Sequence, residues 1–159
     1  MSLLERDTVR RVRDALEAAG SGARVIELDE TARTAEDAAR ACGVEVGAIV
    51  KSLVFDHEGQ AVMALIAGDR RCDTGALRRT LGLPGKLGRA DPDLVKRATG
   101  FTIGGVAPVG HPRPLPTAID GALAGHGRIF AAAGHPHCVF GTDFDELVRL
   151  TGAVLLQPS

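Results

Sequence analysis

Tryptophan and tyrosine are absent from this chain, and only five phenylalanines occur in 159 residues. That removes the aromatic platform on which single-stranded nucleic acids commonly stack. An excess of charge of either sign is missing too. Nineteen Lys and Arg stand against 20 Asp and Glu, a formal net charge of −1, so the whole molecule exerts no pull on nucleic acid and any such contact has to be local. Cys42, Cys72 and Cys138 are odd in number, widely spaced and form no C-x-x-C pair. Neither a disulfide framework nor a zinc knuckle is indicated, and buried, inert thiols are expected. No apolar run approaches the roughly 18 residues of a membrane span, and the opening MSLLERDTVRRVRDAL is too charged for a signal peptide. The expectation is a cytoplasmic protein with no membrane partner. A G-x-S-x-G elbow for a serine nucleophile, an internal repeat and a low-complexity linker are also lacking.

What is present is globular in character: 45% hydrophobic and 25% charged residues. A chain of this length buries about two-thirds of its unfolded surface and needs no staple, so residues 1–159 are expected to form a single domain. DTVRRVRDALEAA carries Val9, Val12, Leu16 and Ala19 at helical spacing and ends at Gly20 and Gly22. ARVIEL reads as a strand and TAEDAARACG as a helix capped by Thr34 and closed by Gly43. GAIVKSLVF and QAVMALIAG read as a hairpin joined by the polar turn DHEG. Asp73 is placed to cap TGALRRTLG, and Asp91-Pro92-Asp93 opens DPDLVKRATG with a cap, a first-turn proline and a second acid, before Gly100 stops it. FTI starts as a strand, HPRPLP is a rigid surface excursion, GRIFAAAG and HCVFG are strands, DFDELVRLTG is a final helix and AVLL a last strand. Helices alternate with strands that include hairpins. The fold class is α/β of the mixed α+β kind rather than a purely parallel doubly wound sheet.

Two features stand apart from this framework. Period-two reading of AIVKSLVF puts Ile49, Lys51, Leu53 and Phe55 on one face. Lys51 therefore shares a face with large apolar groups, where an ammonium needs a partner, water or an anionic ligand. A packed stem with a snorkelling head, or a charge protecting an edge strand, is the competing explanation. The second feature is TGFTIGGVAPVGH, where Gly104 and Gly105 break a promising strand and Pro108 fixes the exit. Glycines are placed where a backbone bends sharply or something approaches it closely. Such a turn can leave consecutive N–H groups aimed at an oxygen of partial negative charge, although a plain turn at a strand end would look the same. GHPHCVF adds His135 and His137, which with His111 would be numerous enough for a three-histidine zinc site. No acidic motif that would orient such ligands accompanies them, and a histidine used as polar contact or proton carrier is the alternative.

The order of VKSLVF, AGDRRCD, KLGRADPDLVKRATGFTIGGVAPVGH and AAAGHPHCVFGTDFDELVRLTGA resembles the YbaK/prolyl-tRNA editing-domain family, free-standing aminoacyl-tRNA deacylases related to the insertion domain of bacterial prolyl-tRNA synthetases. The similarity runs from about residue 25 to 154. It implies a YbaK-like domain with a central mixed, partly barrel-like sheet flanked by helices. It also implies a hydrolase that removes a wrongly attached small amino acid such as Ala or Cys from tRNA, typically tRNA(Pro), with no metal and no organic cofactor. The partners implied are the acceptor 3′ end of aminoacyl-tRNA and prolyl-tRNA synthetase. Lys51 would meet a phosphate or ribose oxygen of the terminal adenosine, and Gly104, Gly105, Val106 and Ala107 would hold the ester. His135 would complete the catalytic set. Ser52, Pro108, Gly134, His137 and Asp69 would bind substrate. Ser52 stands where some branches carry asparagine. A non-catalytic module that senses an aminoacylated or nucleotide-like ligand is the alternative function.

Overall fold

The computed structural model describes residues 2–157, so Met1, Pro158 and Ser159 of the expected 1–159 domain lie outside the described residues. A short 3-10 turn, Leu3–Glu5, leads into α1, Asp7–Ala18, whose Val9, Val12 and Leu16 are buried as the helical spacing demands. The strand β1 covers Val25–Glu27 and the helix α2 covers Ala35–Cys42. The Thr34 side chain accepts the Asp37 N–H at 3.0 Å, and Gly43 closes α2 in the left-handed region at φ 69°. Next comes the hairpin of β2, Ile49–His57, and β3, Gln60–Ala67. Its loop is tighter than the four-residue turn expected. Only Glu58 and Gly59 connect the strands, both at positive φ, 52° and 88°, the geometry of a turn whose twist matches the flanking strands.

Asp73 and Asp91 cap α3, Thr74–Leu81, and α4, Pro92–Thr99, as expected from sequence. Between them a two-residue strand, β4 (Gly88–Arg89), joins the far end of β2. The FTI segment forms no strand. Thr99 Oγ1 accepts the Phe101 N–H at 3.0 Å and Phe101 is fully buried, so the chain turns inward immediately after α4 instead of extending. After the proline-rich excursion, β5 (Thr117–Ile119) is a strand that HPRPLP concealed, and a 3-10 turn spans Gly121–Gly125. The chain closes with β6, Ile129–His135, β7, Cys138–Thr142, α5, Phe144–Thr151, and β8, Val154–Leu155.

The eight strands form one mixed sheet in the order β1-β7-β6-β2-β3-β5-β8, with β4 paired to β2 off this path. It ends on β1 and β8 without closing on itself, so the sheet is open and mixed and no barrel is completed. The alternation predicted for β2 is what the packing shows. Val50 and Val54 belong to the main core with Met63, Leu65 and Phe140, while Ile49 packs with α2 and Leu53 and Phe55 pack with Leu77 of α3. Lys51 lies on that second face.

Candidate active site

The site begins as a fault in the sheet. β3 pairs with β2 along the whole length from Val50 to His57. On the opposite edge β2 has two short partners: parallel β6 takes only Ile49 and Val50, and antiparallel β4 takes only Phe55 and Asp56. Lys51 to Val54 therefore have no strand on that edge. The Ile49 carbonyl accepts the Gly68 N–H at 2.8 Å, on the β3 side. Because peptide groups alternate in direction along an antiparallel strand, the main-chain donors and acceptors of Ser52 and Val54 point out of the open edge. The Ser52 hydroxyl is buried with no hydrogen-bond partner in the protein. An uncompensated hydroxyl of this kind costs about 1–3 kcal/mol.

A cavity of about 730 Å³ opens at this fault, within the usual range of small-molecule sites. One wall is β2 from Ile49 to Val54; α2 contributes Ala35 and Ala38, and the start of α4 contributes Asp91, Pro92 and Val95. β6 and β7 supply Phe130, Ala131, His135 and Val139. The glycine loop enters through Ile103, Gly104 and Val106. Lys51 and Ser52 thus line the same cavity as Gly104, Val106 and His135.

Contacts inside the protein answer what comes close to the diglycine backbone. A Cβ on Gly105 would meet the His135 nitrogen at 2.9 Å and the Gly134 carbonyl carbon at 3.0 Å. Gly134, at φ 92°, would place its own Cβ 2.6 Å from the Thr8 carbonyl oxygen. Two glycine turns cross main chain against main chain. The Gly134 N–H donates to the Gly105 carbonyl at 3.0 Å, and Thr8 Oγ1 donates to the Gly134 carbonyl at 2.8 Å. The Gly105 N–H is spent on the Thr102 carbonyl at 3.0 Å, so it is not available as an oxyanion donor. Of the other loop residues expected in that role, Gly104 and Val106 line the cavity, whereas Ala107 is fully buried and does not.

The remaining site residues divide by position. The Lys51 ammonium donates to the Arg70 carbonyl, and two of its three protons remain for another acceptor. Pro108 is buried behind the loop. Asp69 is not brought to the cavity wall; its carboxylate lies beside Gly47 and the His126 ring. The His135 ring accepts the His137 N–H on Nδ1 at 3.1 Å, which puts the proton of the neutral ring on Nε2 and makes that nitrogen a donor. Burial holds its pKa below the ordinary histidine value, helped by nearby His137 and Arg6. His137 lines a second, outer pocket and donates through Nδ1 to the Leu28 carbonyl at 3.3 Å.

His111 is not brought to the other two histidines. Its Nε2 donates to the Ala107 carbonyl at 2.7 Å and its ring meets Phe101 edge-on. Among the described residues no group of three or more His, Cys, Asp or Glu has the arrangement of a metal site. The thiols are unsuited to nucleophilic work: burial, with Asp73 and Asp120 adding to it, pushes Cys72 up to about 11, and burial does the same to Cys138. The walls given by α2 and α4, and by Phe130 and Ala131 of β6, carried no signal in the sequence; of β6 only its His135 end did. They reach the site only because β6 and β4 leave β2 after two residues each.

Known proteins share this architecture. Residues 29–150 match the family model of the aminoacyl-tRNA editing domain. A Bacillus subtilis protein, YwhH, is 34% identical over 111 residues, 69% of each chain. Proline–tRNA ligase of Solidesulfovibrio magneticus is 32% identical over 104 residues, 65% of this chain and 18% of the ligase, so the chain spans less than a fifth of that enzyme's length. A crystal structure of a candidate trans-editing enzyme for prolyl tRNA synthetase superposes with a TM-score of 0.88 at 45% identity, over 97% of this chain and 99% of that one. The family match over residues 29–150, on an open mixed sheet that superposes on a candidate trans-editing enzyme, places the chain in the aminoacyl-tRNA editing domain family and supports aminoacyl-tRNA deacylase activity.

Proposed function

We propose that this protein hydrolyses the ester of a mischarged small amino acid, of the Ala or Cys class, on tRNA(Pro), acting in trans on the product of prolyl-tRNA synthetase. The observation that carries this reading is the shared cavity. One wall offers unspent polar groups at Ser52 and Val54 together with Lys51, and the other offers the amides of Gly104 and Val106 beside His135. An aminoacyl ester is already activated, so its hydrolysis asks for positioning, a water and stabilisation of a developing oxyanion rather than a strong nucleophile.

In the proposed reaction water adds to the ester carbonyl, the acyl–oxygen bond breaks, and the ribose hydroxyl and free amino acid leave. The loop amides steady the carbonyl oxygen. Lys51, with two free protons, anchors a phosphate or ribose oxygen of the terminal adenosine, and the open edge of β2 takes its remaining polar groups. His135 acts through its Nε2–H as a donor and not as a base, because Nδ1 is occupied by the His137 N–H. Selectivity against cognate proline is steric, since exclusion discriminates more strongly than one methylene, worth about 1–3 kcal/mol, can.

Incubation of the protein with Ala-, Cys-, Ser- and Pro-tRNA(Pro) tests the reading. Release of Ala or Cys with Pro-tRNA(Pro) left intact is expected. Lys51→Ala should lose on the order of 100-fold or more in rate, about 2.7 kcal/mol of transition-state stabilisation, with an unchanged circular dichroism spectrum. Wild-type rates in that variant would remove Lys51 from the mechanism. Tight binding of the charged tRNA without release of the amino acid would instead favour a non-catalytic sensor.

A further inference from the structure

A second pocket of about 650 Å³ adjoins the first. The two share Arg33, Ile103, Gly104, His135 and Pro136, whereas His137 belongs to the outer one alone. The rim shared by the two pockets, together with His137, carries both charge and apolar surface. Arg33 is exposed and has no ion-pair partner among the described residues. Arg6 and Arg33 both act electrostatically on His135, with Glu27 as the opposing acid. The His135 and His137 rings lie 5.6 Å apart, and Ile103 is 65% exposed, which is unusual for a large aliphatic side chain. Local cationic groups beside flat and apolar faces are what a single nucleotide of a flexible strand needs: charge for the phosphate, a ring or aliphatic face for the base.

We infer that the outer pocket is a nucleotide subsite that holds the residue preceding the terminal adenosine of the substrate, Arg33 contacting the connecting phosphate while Pro136, His137 and Ile103 cover the base. This rests on the proposed function, because the terminal adenosine has to occupy the main cavity with its ester at Gly104. From Gly104 and His135 the chain of the substrate then leaves through the wall the two pockets share. The contact is local and needs no net positive charge on the molecule, consistent with a chain whose formal charge is −1. Base identity is read weakly, since among the described residues no buried polar side chain lines the annex. Phosphate and stacking carry the affinity.

The test compares two truncated substrates, 3′-O-alanyl-adenosine and 3′-O-alanyl-cytidylyl-(3′→5′)-adenosine, with the intact protein, Arg33→Ala and His137→Ala. Wild type should hydrolyse the dinucleotide ester about ten-fold more efficiently in kcat/KM, the equivalent of one good charged or stacked contact. Arg33→Ala should keep the wild-type rate on alanyl-adenosine within about two-fold and lose most of the dinucleotide advantage, and His137→Ala should lose clearly more on the dinucleotide ester than on alanyl-adenosine. Equal efficiency of wild type on both esters, or variants that lose the two substrates in parallel, overturns the subsite. Hydrolysis of neither ester by any protein, including on full Ala-tRNA(Pro), overturns the function proposed above and the subsite with it. Rising salt should erode the dinucleotide advantage and leave alanyl-adenosine hydrolysis level.

Discussion

Along β2 the cavity wall is a regular strand, held by β3 at every residue from Val50 to His57, whereas the wall from Thr102 to Pro108 has no ladder and depends on single contacts. Those contacts are few and specific: Gly105 against Gly134, Thr8 on the Gly134 carbonyl, and His111 on the Ala107 carbonyl. Arg11 completes the brace by donating to the Gly100 carbonyl at 3.2 Å and lying over the Phe101 ring. A ladder spreads its energy over many equivalent bonds and tolerates changes of side chain. A loop fixed by single contacts has no such redundancy. The main-chain groups that β2 presents to the cavity are therefore robust to mutation, and those presented by the loop are fragile.

Substitutions at the glycine crossing should break that asymmetry most visibly. Gly134→Ala places a Cβ 2.6 Å from the Thr8 carbonyl oxygen at a φ of 92°, and Gly105→Ala drives one into the His135 backbone at 2.9 Å. Each is expected to cost about 2–4 kcal/mol in urea unfolding. An unchanged midpoint in both would show that the loop is not held by this contact.

His111→Gln should cost less, about 1–2 kcal/mol for the lost Ala107 bond and the altered packing on Phe101, and it sharpens the comparison through pH. Burial, with Arg11 nearby, holds the His111 pKa below its ordinary 6.5 in spite of the Ala107 hydrogen bond. The unfolded chain therefore takes up the proton first. Native stability is full above about pH 6.5 and is lost as pH falls through that value towards the folded pKa. The variant should show a shallower acid decline, the residue of it belonging to His135, whose pKa is also lowered. Parallel stability-versus-pH curves would exclude a titrating brace at His111.

The smallest effect is expected on the regular wall. Ser52→Ala removes a buried hydroxyl that has no protein partner, so the free energy of unfolding should stay level or rise by up to about 1 kcal/mol, while deacylation slows through a higher KM. Substantial destabilisation would mean that the hydroxyl has an internal acceptor after all.

Much of this frame was legible in the residues. Thr34, Asp73 and Asp91 announced three helices because an N-cap is a local device, and the period of two along β2 correctly separated Val50 and Val54 from Ile49, Leu53 and Phe55. Failures came where a partner far along the chain decides the outcome. Phe101 to Ile103 have strand character, yet a buried Phe101 and the Thr99 hydroxyl turn them inward. β5 is three residues long and exists because β3 and β8 flank it. The glycines of the loop were correctly read as marking close approach, but what approaches Gly105 is the chain's own His135 turn. The lysine of β2 was placed by its pattern and lines the cavity, while its partner, the Arg70 carbonyl, could not be seen in a strand alone.

The unpaired stretch of β2 has a consequence for the molecule in solution. Open strand edges are templates for association with other chains, and the outer edges of this sheet are limited to three residues in β1 and two in β8. The longer free stretch, Lys51 to Val54, lies at the bottom of a cleft walled by helices α2 and α4. Lining a cavity rather than an outer edge, that stretch is shielded by the two helices from pairing along its length with a foreign strand, while its main chain stays open to a small group that enters the cavity.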